Sequence, residues 1–328
     1  MSKLFEMLYK SKGEIADAVL PLVDAQASHP QVSGGFKSEG APLAASGAAT
    51  APGPSAAGQP GLSQIRTLSL RVPSPSPLLP FEKGQWRPSE QYRTLRTKLS
   101  HHPKQPRLIV ISSPESGDGK SVTAINTAAV LALKSEGQVL LLDADLRKAT
   151  IHAQLGLPQS PGLAELLAGA CTREEAMVGT REFPNLYVMS SGTPPANPVE
   201  LLDSARWRTL CAELRDAFRY VIIDSPPVGT VADYELIQAV CDGVILVMRP
   251  DFTNRHLCKC ALDFVPKDKF MGVVLNCVPD WSPGKYTGSN YYYYSSSAEK
   301  AYSSDPATRP AEPEHLTGTL AVLPETFT

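Results

Sequence analysis

Six short apolar runs mark the middle of the chain, at 107–112, 138–143, 185–189, 219–224, 243–248 and 271–276. They are rich in Val, Ile and Leu, and apolar residues follow one another without polar alternation. A strand with that pattern is covered on both faces, as in a parallel sheet packed between helices. Between the runs, helical stretches are expected at 120–134, 205–218, 231–240 and 254–264. The alternation predicts an α/β fold: a mostly parallel sheet with right-handed crossovers and helices on both faces. Ligands in such sheets bind at the carboxyl ends of the strands, so chemistry is sought just after each run.

The pattern fails on either side. From 28 to 80 the chain is rich in Pro, Gly, Ala and Ser, with four charged residues: Lys37, Glu39, Arg66 and Arg71. Such a segment cannot bury enough apolar area to offset its ordering entropy, which predicts a flexible linker with Pro-stiffened pieces. Ahead of it, Leu4, Phe5, Leu8, Ile15 and Val19 roughly follow helical spacing, and Pro21 ends the helix. Its apolar face needs a partner. Past Trp281 the chain turns to Ser, Gly and Tyr, then to a polar, Pro-containing end. The expected organisation is an amphipathic helix over 1–24, a linker over 28–80, an α/β domain over 81–283 and a flexible extension over 284–328.

Composition narrows the field. The 328 residues are 42% hydrophobic and 20% charged, enough for a sizeable core. A formal net charge of −2 gives nothing global that points to nucleic acid. No stretch of 18 or more residues is continuously apolar, and the first twenty lack a signal-peptide pattern. The six cysteines show no CxxC spacing, so reduced thiols are expected, some of them filling core space.

The first run ends in Ser113-Pro114-Glu115-Ser116-Gly117-Asp118-Gly119-Lys120-Ser121, where a helix is expected to begin. Gly117 and Gly119 let the backbone turn its N–H groups inward, and the helix N-terminus adds partial positive charge. Lys120 can reach terminal phosphates, and the Ser121 hydroxyl can ligate Mg²⁺. The strict P-loop pattern lacks its first glycine, since Pro114 stands there. The strand before and the helix after supply the confirming context. The second run ends in Asp143-Ala144-Asp145-Leu146-Arg147, and another ends in Asp224-Ser225-Pro226-Pro227. Oxygen ligands at strand tips suit an octahedral Mg²⁺ that bridges phosphates.

Together these segments resemble the bacterial tyrosine kinases (BY-kinases) of the CpsD/CapB type, the autokinases of capsular and exopolysaccharide biosynthesis. The likeness spans roughly 88–302. It extends to Gly162-Leu163-Ala164-Glu165-Leu166-Leu167-Ala168-Gly169, to 191–202, and to Glu90-Gln91-Tyr92-Arg93-Thr94-Leu95-Arg96. The resemblance implies a P-loop NTPase fold of the MinD/ParA-like kind, with ATP and Mg²⁺ as cofactors. It implies that Ser116, Gly117, Asp118, Gly119, Lys120, Ser121 and Asn276 bind the nucleotide. Ser121, Asp145 and Asp224 would hold Mg²⁺; Lys120, Asp143 and Asp145 would carry catalysis, with Asp143 as base; Arg249 would lie near the adenine. Glu90, Arg93 and Arg96, at i, i+3 and i+6 on a helix, would build a ring-like homo-oligomer. The implied partners are a separate transmembrane polysaccharide co-polymerase or activator and a phosphotyrosine phosphatase. The implied location is the cytoplasm, at the inner face of the plasma membrane through that partner. Ser116 stands where the family usually has Pro, and Asp118 where it usually has Glu.

Six tyrosines, Tyr286, Tyr291, Tyr292, Tyr293, Tyr294 and Tyr302, crowd a Ser- and Gly-rich stretch with no strand or helix period. Beside a phosphate-transfer site, and in line with the resemblance, they read as the acceptors of an autokinase. As coil, the chain from Asn276 to the cluster reaches roughly 20 Å, enough for delivery into a neighbour's site. Two other functions compete. A MinD/ParA-like regulatory ATPase would carry lysine where Glu115 stands and leaves the tyrosines unexplained. A nucleotide-gated scaffold of a polysaccharide export complex would use the tail for docking.

Overall fold

In the computed structural model the described residues are 64–73, 78, 86–134, 137–250, 252–277 and 321–322. They form nine strands: β1 (Thr67–Leu68), β2 (Leu108–Ser112), β3 (Val139–Asp143), β4 (Met177–Thr180), β5 (Leu186–Met189), β6 (Tyr220–Asp224), β7 (Gly243–Met248), β8 (Phe270–Leu275) and β9 (Ala321–Val322). The helices are α1 (Trp86–Ser100), α2 (Lys120–Ala132), α3 (Ile151–Leu155), α4 (Leu163–Ala168), α5 (Arg173–Ala176), α6 (Pro198–Leu202), α7 (Ala205–Ala217), α8 (Ala232–Val240) and α9 (Arg255–Phe264). One sheet runs in the order β1-β4-β5-β3-β6-β2-β7-β8-β9, parallel except at β4–β5 and β8–β9.

Every residue of β2, β3, β6 and β7 is buried. Successive residues face opposite layers. Leu108, Val110, Leu140 and Leu142 join Trp207, Leu214 and Tyr234 on one side. Ile109, Ile111 and Leu141 join Tyr92, Leu95, Ile125 and Ala128 on the other. Both faces are therefore core, which is why the runs show no polar alternation. All six expected strands and all four expected helices are present, with ends displaced by no more than about two residues, the usual spread of such boundaries. The six cysteines are free, with Cys211, Cys241 and Cys258 buried.

The expected linker needs correction at its C-terminal end. Thr67–Leu68 pairs with β4, the Arg71 amide donates to the Leu155 carbonyl at 2.9 Å, and Ile65 and Leu78 are buried. A few apolar side chains in a Pro- and Ser-rich context are enough to cover the outer edge of the sheet. The extension expected over 284–328 likewise contributes a strand, Ala321–Val322, antiparallel to Val274–Leu275. The helix expected over 1–24 lies outside the described residues. Among the described residues no helix is long and apolar enough to cross a membrane.

Candidate active site

β2 runs straight into the phosphate loop. Gly117 and Gly119 adopt φ of +98° and +97°, a left-handed conformation that glycine takes without strain. A Cβ on Gly119 would also overlap the Asn276 side chain. Asp118, fully buried, shapes the turn from inside. It accepts the Glu115 amide at 3.0 Å and the Thr253 hydroxyl at 2.5 Å. Burial pushes its carboxyl above the ordinary range, and those two hydrogen bonds oppose the shift. The Asn276 side-chain amide donates to the Asp118 carbonyl at 2.9 Å, so the first residue after β8 is fixed against the loop. Ser116 is exposed, next to Gly117.

Lys120 opens α2, and its ammonium is nearly surrounded by acceptors. It lies 3.2 Å from Asp145 Oδ2, 3.6 Å from Asp224 Oδ1 and 3.4 Å from Ser121 Oγ. The three side chains expected to hold Mg²⁺ therefore converge on one point, where a cation already sits. Burial opposes the lysine's charge, but Asp224 and Asp145 outweigh it and hold its pKa above the ordinary value.

Asp143 and Asp224 face each other across the β3–β6 pair. Asp143 is fully buried and takes long bonds of 3.2–3.3 Å from the Asp145, Thr150 and Ile151 amides. Burial first, then the Asp224 charge, pushes its pKa up to about 8. Asp224 is fully buried as well, and no close, well-aligned hydrogen bond reaches either oxygen, although Lys120 and the Ser121 hydroxyl lie near enough to interact with it. Burial raises its pKa too, against the pull of Lys120. Like charges this close cannot all ionise without a counter-charge.

An orphaned buried carboxylate beside a second carboxylate and a hydroxyl suits a hard divalent cation. Among the described residues no three His, Cys, Asp or Glu side chains form a ready-made cage. Mg²⁺ needs none, because it binds through one or two carboxylates together with water and substrate phosphates. The donor set present therefore fits that ion.

The loop before α9 was not legible as part of the site, except for Arg249. The Arg249 guanidinium stacks on the Phe252 ring at 4.8 Å from its centroid, and a Cβ on Gly117 would sit 3.3 Å from that ring. Thr253 anchors Asp118 from 135 residues away, a pairing with no local signal in the sequence. The proposed assembly motif lies apart, on α1. Glu90 and Arg93 are both exposed and form an ion pair with each other. Arg96 donates to the Val130 carbonyl near the end of α2 at 3.4 Å. The candidate acceptors Tyr286, Tyr291, Tyr292, Tyr293, Tyr294 and Tyr302 lie outside the described residues.

Comparison with known proteins gives a consistent picture. Residues 106–258 match the family model described as an AAA domain. The chain is 38% identical over 192 residues to the tyrosine-protein kinase YwqD of Bacillus subtilis, covering 57% of this chain and 80% of that protein. It is 32% identical to the tyrosine-protein kinase CpsD of Streptococcus agalactiae, covering 58% of this chain and 83% of that one. The solved kinase domain of the Escherichia coli tyrosine kinase ETK superposes with a TM-score of 0.55 at 27% identity, covering 62% of this chain and 79% of that one.

Proposed function

Because the chain belongs to the bacterial tyrosine-protein kinases that include YwqD and CpsD, we propose that it phosphorylates its own C-terminal tyrosines with Mg·ATP. The observation that carries this reading is the convergence of Asp145, Asp224 and Ser121 on the Lys120 ammonium at the mouth of the phosphate loop. In-line transfer needs little covalent work from the protein. The acceptor hydroxyl oxygen attacks the γ-phosphorus, its bond to the β–γ bridging oxygen breaks, and ADP leaves. The hydroxyl proton passes to Asp143, which lies beside Asp224 and Asp145 at the strand tips. Lys120 and the loop amides offset charge on the transferring group. Ser121, Asp145 and Asp224 would hold Mg²⁺, which when bound neutralises charge on the β- and γ-phosphate oxygens.

The acceptors in this reading are Tyr286, Tyr291–Tyr294 and Tyr302, delivered in trans within a ring built on Glu90, Arg93 and Arg96. Each phosphate would add about −1.5 to −2 charges, so graded phosphorylation weakens assembly by repulsion. Activation would come from a separate membrane-spanning protein at the inner face of the plasma membrane, and reversal from a phosphotyrosine phosphatase. The output would be control of capsular or exopolysaccharide synthesis and export. Glu115, at the position where a partitioning-type ATPase carries lysine, accepts the Asn254 amide at 3.0 Å and so helps hold the loop.

The test is full-length protein incubated with Mg·ATP, followed by phosphopeptide mapping and size-exclusion chromatography. Labelling concentrates in the tyrosine cluster and falls to a small remainder when Tyr291–Tyr294 are replaced by Phe. Undiminished labelling in that variant would move the acceptor elsewhere. A phosphorylated species that stays fully oligomeric would refute the switching half.

A further inference from the structure

Arg147 closes the acidic segment after β3, and nothing so far gives it a task. Its guanidinium makes a two-point contact with Asp233: Nε donates to Oδ2 at 2.9 Å and Nη2 to Oδ1 at 3.0 Å. The Asp233 side chain is fully buried in the first turn of α8, while 44% of the Arg147 side chain is exposed. A planar fork on a buried carboxylate fixes orientation as well as distance, which a lysine point charge does not.

The contact joins two loops. On one side, the Asp145 carboxylate accepts the Lys148 amide at 2.9 Å, so Arg147 lies inside the turn that Asp145 closes. The Asp145 amide in turn donates to Asp143. Pinning Arg147 therefore pins Asp145. On the other side, α8 follows the connection that leaves Asp224. That connection is tied to the phosphate-loop strand by the Val228 amide on the Ser113 carbonyl at 2.9 Å, and by the Ser112 hydroxyl on the Pro226 carbonyl at 2.7 Å. The ion pair thus bridges the loops that carry the two carboxylates facing Lys120.

We propose that Arg147, clamped on Asp233, is a positioning residue that sets the spacing of Asp145 and Asp224 for the divalent cation. The proposal rests on reading those two aspartates as the metal's ligands. Nucleotide binding without metal depends on the loop amides and Lys120, and so is independent of the clamp. Partners that orient metal ligands typically change metal affinity by about 10–100-fold when removed.

The experiment is an electron paramagnetic resonance titration of the full chain with Mn²⁺, in excess ADP. The variants are Arg147→Met, Arg147→Lys, Asp233→Asn and the double Arg147→Met/Asp233→Asn. Binding of a fluorescent ADP in EDTA is measured in parallel. Mn²⁺ affinity should fall about tenfold in Arg147→Met and in Asp233→Asn, and less in Arg147→Lys. The double variant should be no worse than either single, since the pair acts as one unit. Nucleotide affinity in EDTA should stay within about twofold of the starting protein, the spread expected where no contact is lost. If Arg147→Met unfolds, the isosteric Asp233→Asn and the charge-retaining Arg147→Lys carry the test. Unchanged Mn²⁺ affinity in folded Asp233→Asn overturns the clamp, as does an equal loss of metal-free nucleotide binding. Asp145→Asn and Asp224→Asn separate the two levels. Normal Mn²⁺ binding in those variants removes the ligand reading and the clamp together, whereas loss there without loss in the Arg147 and Asp233 variants removes the clamp alone.

Discussion

Asp242 and Asp224 sit at opposite ends of the same sheet and are used in opposite ways. Asp242, just before β7, is saturated. One oxygen accepts the Arg107 and Leu108 amides at 3.0 and 2.9 Å, and the other accepts Arg215 at 2.7 Å. Against the desolvation that would raise it, these bonds hold its carboxyl below the ordinary range. Asp224, at the end of β6, is more deeply buried, and only the Lys120 ammonium at 3.6 Å and the Ser121 hydroxyl approach it, without a close, well-aligned bond to either oxygen. One carboxylate staples the strand ends together. The other is kept hungry beside a cation, and a buried acceptor left unmade is costly unless something binds it. The contrast marks Asp242 as a structural acid and supports the metal-binding role proposed for Asp224.

The sharpest way to break the contrast is to remove the cation on the functional side. Lys120→Met should lower phosphotyrosine formation by at least about a hundredfold, as loss of a preorganised charge stabiliser does. Immunoblotting in a host without other such kinases reads this, and persistent labelling would end the assignment. Asp224→Asn should also cost about a hundredfold or more in transfer, yet leave the melting temperature unchanged or higher, because it removes a buried charge with unmade bonds. A clear loss of stability would place Asp224 with the structural acids. Asp242→Asn should do the reverse. Transfer survives, while stability drops by about 1 kcal/mol, the low end for charged hydrogen bonds because water screens this part-exposed pair. In a chain of this size that is about 2–4 °C in thermal melting.

The smallest effect is in the pH dependence of melting for metal-free protein. Asp143, raised to about 8 in the fold, favours the folded state most fully below the ordinary carboxylate range. That contribution is lost as pH rises from the ordinary carboxylate range to about 8, the window in which the folded state still holds a proton that the unfolded state has released. Asp242, held low, contributes above the ordinary range and loses that contribution as pH falls below it. Asp143→Asn should therefore flatten the fall in melting temperature from the carboxylate range up to about pH 8 in EDTA, and Asp242→Asn the acid limb. An identical fall over that window in both proteins would remove Asp143 as its source.

The same distinction explains what could be read from the residues alone. The central strands were legible because continuous Val, Ile and Leu report burial on both faces, and the phosphate loop because its glycines and lysine are neighbours in sequence. β4 was not legible: Met177-Val178-Gly179-Thr180 is short and carries a glycine and a polar end. β1 and β9 are two residues each and take their structure from the strands they meet. The supports of the site were hidden for a different reason. Thr253 reaches Asp118 across 135 residues, and Arg147 reaches Asp233 across 86, so their meaning exists only once the sheet is assembled.

β9 has one last consequence. Ala321 meets Leu275, so the chain that departs after Cys277 rejoins the sheet on the rim where it left, the rim of the phosphate loop. All six clustered tyrosines lie between those two attachment points. The acceptors proposed above are therefore joined to the sheet from both sides rather than one, next to the proposed phosphate site. Cutting the chain ahead of Ala321 would remove the second attachment, and in the proposed autokinase it should redistribute label among the tyrosines.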